Sequence, residues 1–216
     1  MENELSRGQK PIVTPSIVVF DLGKVLVDFD YTIAARKIAA QSDVPPLALK
    51  GFIDHSPLLI RYETGRATRE EFYEEVRKFC KFRGTFEQFC ADFGGIFTPI
   101  DEMVAAHAAL RRRGVPTYLF SNTNDLAIED IRSKFPFYQE FDGHILSYEV
   151  GAMKPDPKIY EALEELSGKR GADIFYLDDR AENVAGGAAR GWQAFQHLEP
   201  ERSISEMKRL GLLNHA

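Results

Sequence analysis

Apolar residues along the chain gather into short unbroken runs, with stretches of helical spacing between them. The first run, 17–20, is Ile-Val-Val-Phe, β-branched or aromatic throughout. That is the pattern of a strand buried on both faces, in the middle of a parallel sheet. Runs at 115–120, 144–147, 174–177 and 191–195 predict four more strands. Residues 100–113 predict a helix with Arg111, Arg112 and Arg113 in its last turn, where cations suit the dipole, and Gly114 ending it. A helix to about Lys134 follows the second strand. Asp156 and Pro157, as N-cap and first helical residue, start another that runs to about Leu166. Residues 182–190 and the last stretch of the chain complete the helices. Strands alternating with helices predict an α/β fold, a doubly wound, Rossmann-like, mostly parallel sheet.

From about Tyr31 to Phe97 the pattern changes, and no strand signal is found. Residues 32–41 have helical spacing, and Pro45-Pro46 marks a restart. Thr68 reads as a helix cap with Glu71 at the third helical position. Phe72, Val76, Phe79 and Cys80 follow at helical spacing, and Phe82, Phe86, Phe89 and Phe93 add an aromatic stripe that reads as helix-packing core. The predicted organisation is an α/β core of 16–30 and 98–216 with an inserted helical cap, 31–97, over the carboxyl ends of the strands. Residues 1–15 lack apolar periodicity and read as a loose leader.

Composition narrows the picture only a little. With 216 residues, 44% of them hydrophobic, the chain can bury one sizeable core and a small appended domain. A net charge of −6 gives no basic footprint for nucleic acid. Two cysteines, Cys80 and Cys90, make no disulfide framework. No apolar run nears the ~20 residues of a membrane span, and the N-terminus lacks a signal-peptide core. The expectation is a cytoplasmic protein, monomer or homodimer, with no membrane or nucleic-acid partner.

The chemistry lies where the apolar runs stop. The first strand ends on Asp21, with Gly23 two residues on; the second on Ser121 and Asn122; the fourth on Asp178 and Asp179. Lys154 lies in a loop between the second and fourth. Each has a bland explanation alone: a helix cap, a turn, a solvated lysine. Parallel strands bring these ends to one edge, the edge where open α/β sheets bind ligands. Carboxylates meeting there repel unless a cation joins them, and an oxygen-only site with room for waters suits Mg²⁺.

These motifs, in this order and with a helical insertion between the first and second, resemble the haloacid dehalogenase-like (HAD) hydrolase superfamily over about residues 16–210. The Phe-Asp-Leu-Gly-x-Val form of the first motif, with Asp28 and Asp30 soon after, most resembles the bacterial subgroup containing α-D-glucose-1-phosphate phosphatase. The resemblance implies a Mg²⁺-dependent phosphatase acting on a small phosphate monoester, with sugar phosphates as candidates. Asp21 would be the nucleophile, forming an aspartyl-phosphate. Asp21, the carbonyl of Gly23 and Asp179 would hold the metal, with Asp178 beside them. Leu22 and Gly23, Ser121, the N–H of Asn122, and Lys154 would meet the phosphate, Lys154 also offsetting charge on the nucleophile. Asn183 would hold a ligand water or orient Asp179.

One departure matters. Most phosphatases of this superfamily carry a second Asp two residues after the nucleophile as general acid–base, and here that position is Gly23. Its loss typically costs ~10²–10⁴-fold. A good leaving group, a water or a cap residue could offset it. The superfamily's dehalogenases also lack that Asp, so a 2-haloacid dehalogenase is an alternative, as is a non-catalytic pocket protein. In the cap, Gly65 and Arg66 of the Glu63-Thr64-Gly65-Arg66 loop, and His55, are candidate substrate contacts. His107 and Trp192 read as structural, and Arg180 as a partner of Asp178 or a solvated side chain.

Overall fold

The computed structural model describes residues 13–214, apart from the side chain of His55; most of the predicted leader and the His55 candidate lie outside the described residues. The chain starts with β1 (Ile17–Phe20) and β2 (Val27–Phe29), then α1 (Tyr31–Ala39), α2 (Pro46–His55), α3 (Pro57–Glu63), α4 (Arg69–Cys80) and α5 (Phe86–Gly94). It returns through β3 (Phe97–Pro99) to α6 (Asp101–Arg112), β4 (Thr117–Ser121) and α7 (Asp125–Lys134). Next come β5 (Gly143–Leu146), the single turn α8 (Ser147–Val150) and α9 (Pro157–Ser167). The chain ends with β6 (Ile174–Asp178), α10 (Ala181–Ala189), β7 (Gln193–Gln196) and α11 (Pro200–Arg209).

Five strands form one sheet in the order β5-β4-β1-β6-β7, every pairing parallel. β1 is central, and all four of its side chains are buried. Val18 and Phe20 pack with Met103, Leu110 and Met207 of α6 and α11. Ile17 and Val19 pack with Tyr160, Leu163 and Trp192 on the other face. Burial on both faces is why β1 reads as a continuous apolar run rather than an alternating one. His107, expected to be structural, is fully buried on α6, where its Nε2 lies 3.0 Å from the Thr117 hydroxyl and its ring stacks on Phe141.

The insertion has its own apolar cluster. Ile38 of α1, Leu49 of α2, Leu58 of α3, Phe72 and Val76 of α4, and Phe89 and Phe93 of α5 are all buried in it. The Thr68–Glu71 capping box starts α4 as the sequence predicts. The base of the insertion, where no strand is expected, is a two-stranded ribbon. β2 and β3 pair antiparallel, Val27 opposite Pro99 and Phe29 opposite Phe97, and so clip the two crossings of the chain together. Three-residue strands carrying Asp28 and Pro99 are too short to show an alternating pattern. No helix among the described residues is long and apolar enough to cross a membrane.

Candidate active site

The parallel sheet carries Asp21, Ser121 and Asp178 to one edge, each at or just beyond the end of its strand. Carboxylate oxygens of Asp21, Asp178 and Asp179 lie within 4.8 Å of one another. Lys154, its side chain 1% exposed, ties the group together. Its ammonium is 3.0 Å from Asp21 Oδ1 and 2.6 Å from Asp178 Oδ2, and it donates to the Phe120 carbonyl at 2.7 Å. Three acceptors for three protons leave this lysine no freedom to swing.

Asn122 holds the lysine loop in place. Its side-chain amide donates to the Lys154 carbonyl at 3.0 Å and accepts from the Lys154 N–H at 2.7 Å. Ser121 is 2% exposed, and its hydroxyl makes only a 3.4 Å contact with the Asn122 carbonyl. Ser147 braces the next step, accepting from the Thr123 N–H at 2.9 Å and donating to the Thr123 carbonyl at 3.0 Å.

Asp178 is saturated. Its Oδ1 accepts from the Arg180 N–H at 2.9 Å and from Asn183 Nδ2 at 3.0 Å; its Oδ2 accepts from Lys154 and the Tyr176 hydroxyl. Burial alone would raise its pKa, but Lys154 and these donors outweigh burial and hold it below the usual carboxylate range. Asn183 thus orients Asp178 rather than Asp179. Arg180 meets Asp178 only through its backbone; its guanidinium lies 2.5 Å from Glu182. Asp21 differs: burial, and then the like charges of Asp178 and Asp179, push its carboxyl up against the pull of Lys154. Burial and Asp178 raise Asp179 as well. Three crowded carboxylates against one ammonium leave negative charge to neutralise. An all-oxygen donor set of this kind fits Mg²⁺.

Above this floor is a cleft of about 250 Å³. Asp21, Gly23, Lys24, Asn122, Lys154, Asp179 and Asn183 line it from below. Phe29, from β2 at the base of the insertion, and Tyr31, Leu59 and Glu63, from its helices, line it from the other side. Gly65 and Arg66 are exposed and lie outside this cleft. α3 ends at Glu63, which turns inward, while Gly65 adopts a left-handed φ of 65° against the core, where a Cβ would come within 2.3 Å of the Tyr148 carbonyl oxygen. Glu63 is 9% exposed, and burial pushes its carboxyl up to about 7 against the pull of Asn124 and Arg180. The Asn124 amide is near enough to stabilise both Glu63 and Tyr31, yet its buried Nδ2 makes no hydrogen bond of acceptable geometry.

Gly23 has a steric cause. A Cβ there would lie 2.7 Å from Cε1 of Phe29, so the ring fills the space a side chain would need. The left-handed residue in this turn is Lys24, at φ 60°, not Gly23. Tyr31, Asn124 and Lys24 are site residues with no signal in the sequence. They carry no motif spacing and meet only through the tertiary fold.

A sequence model of the haloacid dehalogenase-like hydrolases matches residues 15–191. The chain belongs to this family. Among its relatives in the family is D-ribitol-5-phosphate phosphatase of Bacteroides thetaiotaomicron, 26% identical over 194 residues, which cover 83% of this chain and 90% of that one. A HAD family enzyme of the same organism, solved with magnesium and inorganic phosphate, superposes with a TM-score of 0.76 at 22% identity, covering 85% of this chain and 94% of the other. An L-2-haloacid dehalogenase of Xanthobacter autotrophicus superposes with a TM-score of 0.61 at 16% identity, covering 91% and 83%. These superpositions show that the fold is shared.

Proposed function

We propose that this HAD-like hydrolase is a Mg²⁺-dependent phosphatase of small phosphate monoesters, with polyol and sugar phosphates as its substrate class. The observation that carries this reading is the convergence of Asp21, Asp178 and Asp179 on one cation-poor point, with Lys154 locked among them. A haloacid substrate calls for no such cluster of acids, whereas a phosphate brought to a carboxylate nucleophile needs positive charge placed there first. The phosphatase relative supports the same class, and a cleft of about 250 Å³ suits a small ester.

Asp21 attacks phosphorus with one carboxylate oxygen, and the bond to the leaving oxygen breaks, giving an aspartyl-phosphate. Ser121 and the N–H groups of Gly23 and Asn122 receive the phosphoryl oxygens, while the Leu22 N–H holds the Asp21 carboxylate and Lys154, fixed between Asp21 and Asp178, offsets the developing charge. Asp21, Asp179 and the Gly23 carbonyl would hold Mg²⁺, with Asp178 positioning Lys154 beside them. When bound, the ion supplies charge neutralisation between nucleophile and phosphate. The helices of 31–97 act as a cap, excluding water until the second step.

A panel of sugar, polyol and aryl phosphates, assayed with Mg²⁺ and with EDTA, tests the reading. Turnover should require the metal and fall at least ~10⁴-fold in Asp21→Asn. Chloride release from 2-chloropropionate without phosphatase activity would replace this reading with the dehalogenase one.

A further inference from the structure

We propose that Glu63, reaching the cleft from the end of α3, is the proton donor to the leaving oxygen and then the base for the attacking water. This rests on the phosphatase reading and supplies what Gly23 cannot.

The first observation is that the usual position is taken. Two residues after Asp21 the chain has no side chain, and Cε1 of Phe29 lies 2.7 Å from where a Cβ would be, so the ring occupies the space in which a carboxylate would start. The second is direction. In-line displacement at phosphorus puts the leaving oxygen on the side away from the nucleophile. Asp21 enters from the sheet edge, so the leaving oxygen faces the wall contributed by the insertion, where Glu63 is. After the first step the attacking water occupies the same side, so one residue can serve both steps.

The third observation is that the cleft's other polar groups are committed or unsuited. The Lys24 ammonium is engaged by Asp28 and by the Phe29 carbonyl at 2.9 Å. Arg180 is paired with Glu182 and does not deprotonate. Burial drives the Tyr31 hydroxyl far above its ordinary range, which makes it a weak acid. Asp179 belongs to the metal set. Glu63 is a buried carboxyl that Asn124, its Nδ2 unbonded, and the Arg180 charge hold back only in part, so burial moves it toward neutrality. General acid–base catalysis works best with such a group near the operating pH.

The steps balance. Asp21 forms a bond to phosphorus, the bond to the leaving oxygen breaks, and the Glu63 proton passes to that oxygen, giving a free alcohol and a Glu63 carboxylate. Water then attacks the aspartyl-phosphate and loses a proton to Glu63. The bond from phosphorus to Asp21 breaks, and phosphate leaves with both side chains restored.

The test is Glu63→Gln with Mg²⁺ on 4-nitrophenyl phosphate, phenyl phosphate and ribitol 5-phosphate, in both steady-state and rapid-mixing experiments. In the wild type, kcat/KM should depend weakly on leaving-group pKa. In Glu63→Gln, kcat/KM for ribitol 5-phosphate should fall ~10²–10⁴-fold, while that for 4-nitrophenyl phosphate barely changes. The variant should also release 4-nitrophenol in a burst of one equivalent before slow turnover, because the second step has lost its base. A melting temperature no lower than that of the wild type checks the fold. An equal loss on all three esters, or no loss, would overturn the role of Glu63 and leave the phosphatase reading standing. A wild type that hydrolyses none of the esters would remove that reading, and this inference with it.

Discussion

The two walls of the cleft obey opposite rules. On the floor, the central groups have their partners: Lys154 has three acceptors, and Asp178 accepts from Lys154, Tyr176, Asn183 and the Arg180 N–H. On the roof, Glu63 is buried beside Tyr31 and an Asn124 amide that is not properly bonded to either. A satisfied network is rigid and costly to disturb. An under-satisfied one stores free energy that a substrate can release. The floor is built to hold one geometry, and the roof to change protonation state or partner.

The contrast is sharpest at Lys154. Lys154→Met removes the cation that contacts both Asp21 and Asp178, two carboxylates that remain buried. Breaking a buried ion pair from one side costs about 3–5 kcal/mol. Urea denaturation in EDTA, which keeps metal from masking the loss, should show a drop of that size. A change under ~1 kcal/mol would mean that the floor relaxes easily and that the comparison is false.

Glu63 should behave in the opposite sense. Its carboxyl moves from an ordinary value of 4.5 to about 7 in the folded chain, so between those values the folded state holds the proton more tightly. Its contribution to stability is complete below about pH 4.5 and is lost as the pH rises through about 7. The shift corresponds to roughly 3 kcal/mol at most. Burial sets the shift, and Asn124 at the start of α7 and Arg180 after β6 oppose it. Glu63→Gln, always neutral, should therefore match the wild type near pH 5 and be more stable at pH 8, a gain seen in melting temperatures across that range. A variant less stable at pH 8 would show that the roof is as well satisfied as the floor.

The same division decides what could be read from the sequence. The strand ends of the floor were legible because each closes a buried apolar run. Val-Val-Phe leads to Asp21, Tyr-Leu-Phe to Ser121 and Phe-Tyr-Leu to Asp178, and parallel pairing then forces these ends together. The roof was not. Tyr31 is the first residue of α1 and Glu63 the last of α3, and neither position is unusual for its helix. Arg66 and Glu63 share one short loop, and only the angle at which α3 ends decides which of them enters the cleft. Gly23 could be seen to be an exception, but its cause, the Phe29 ring, depends on the β2–β3 pairing that three-residue strands do not announce.

The smallest effect belongs to the seam between insertion and core. Arg69 of α4 reaches α7, with Nε 2.6 Å from Asp125 Oδ2 and Nη1 2.8 Å from Glu129 Oε2; the Tyr62 hydroxyl donates to the other oxygen of Asp125. Arg69 and Asp125 side chains are 27% and 31% exposed, so solvent screens the pair and its worth is about 0.2–1 kcal/mol. Such a contact scarcely affects the global fold, whose stability lies in the two cores. It can still matter to an insertion that opens and closes, because 1 kcal/mol is a factor of about five in an equilibrium. Arg69→Ala should leave the denaturation midpoint nearly unchanged and raise KM up to ~5-fold with little change in kcat, since substrate must now close a looser cap. Raising salt should shift the wild type the same way and the variant less, because the ion pair is partly exposed. A lower kcat at unchanged KM would instead place Arg69 with the floor, acting on the chemistry through Asp125 and the start of α7.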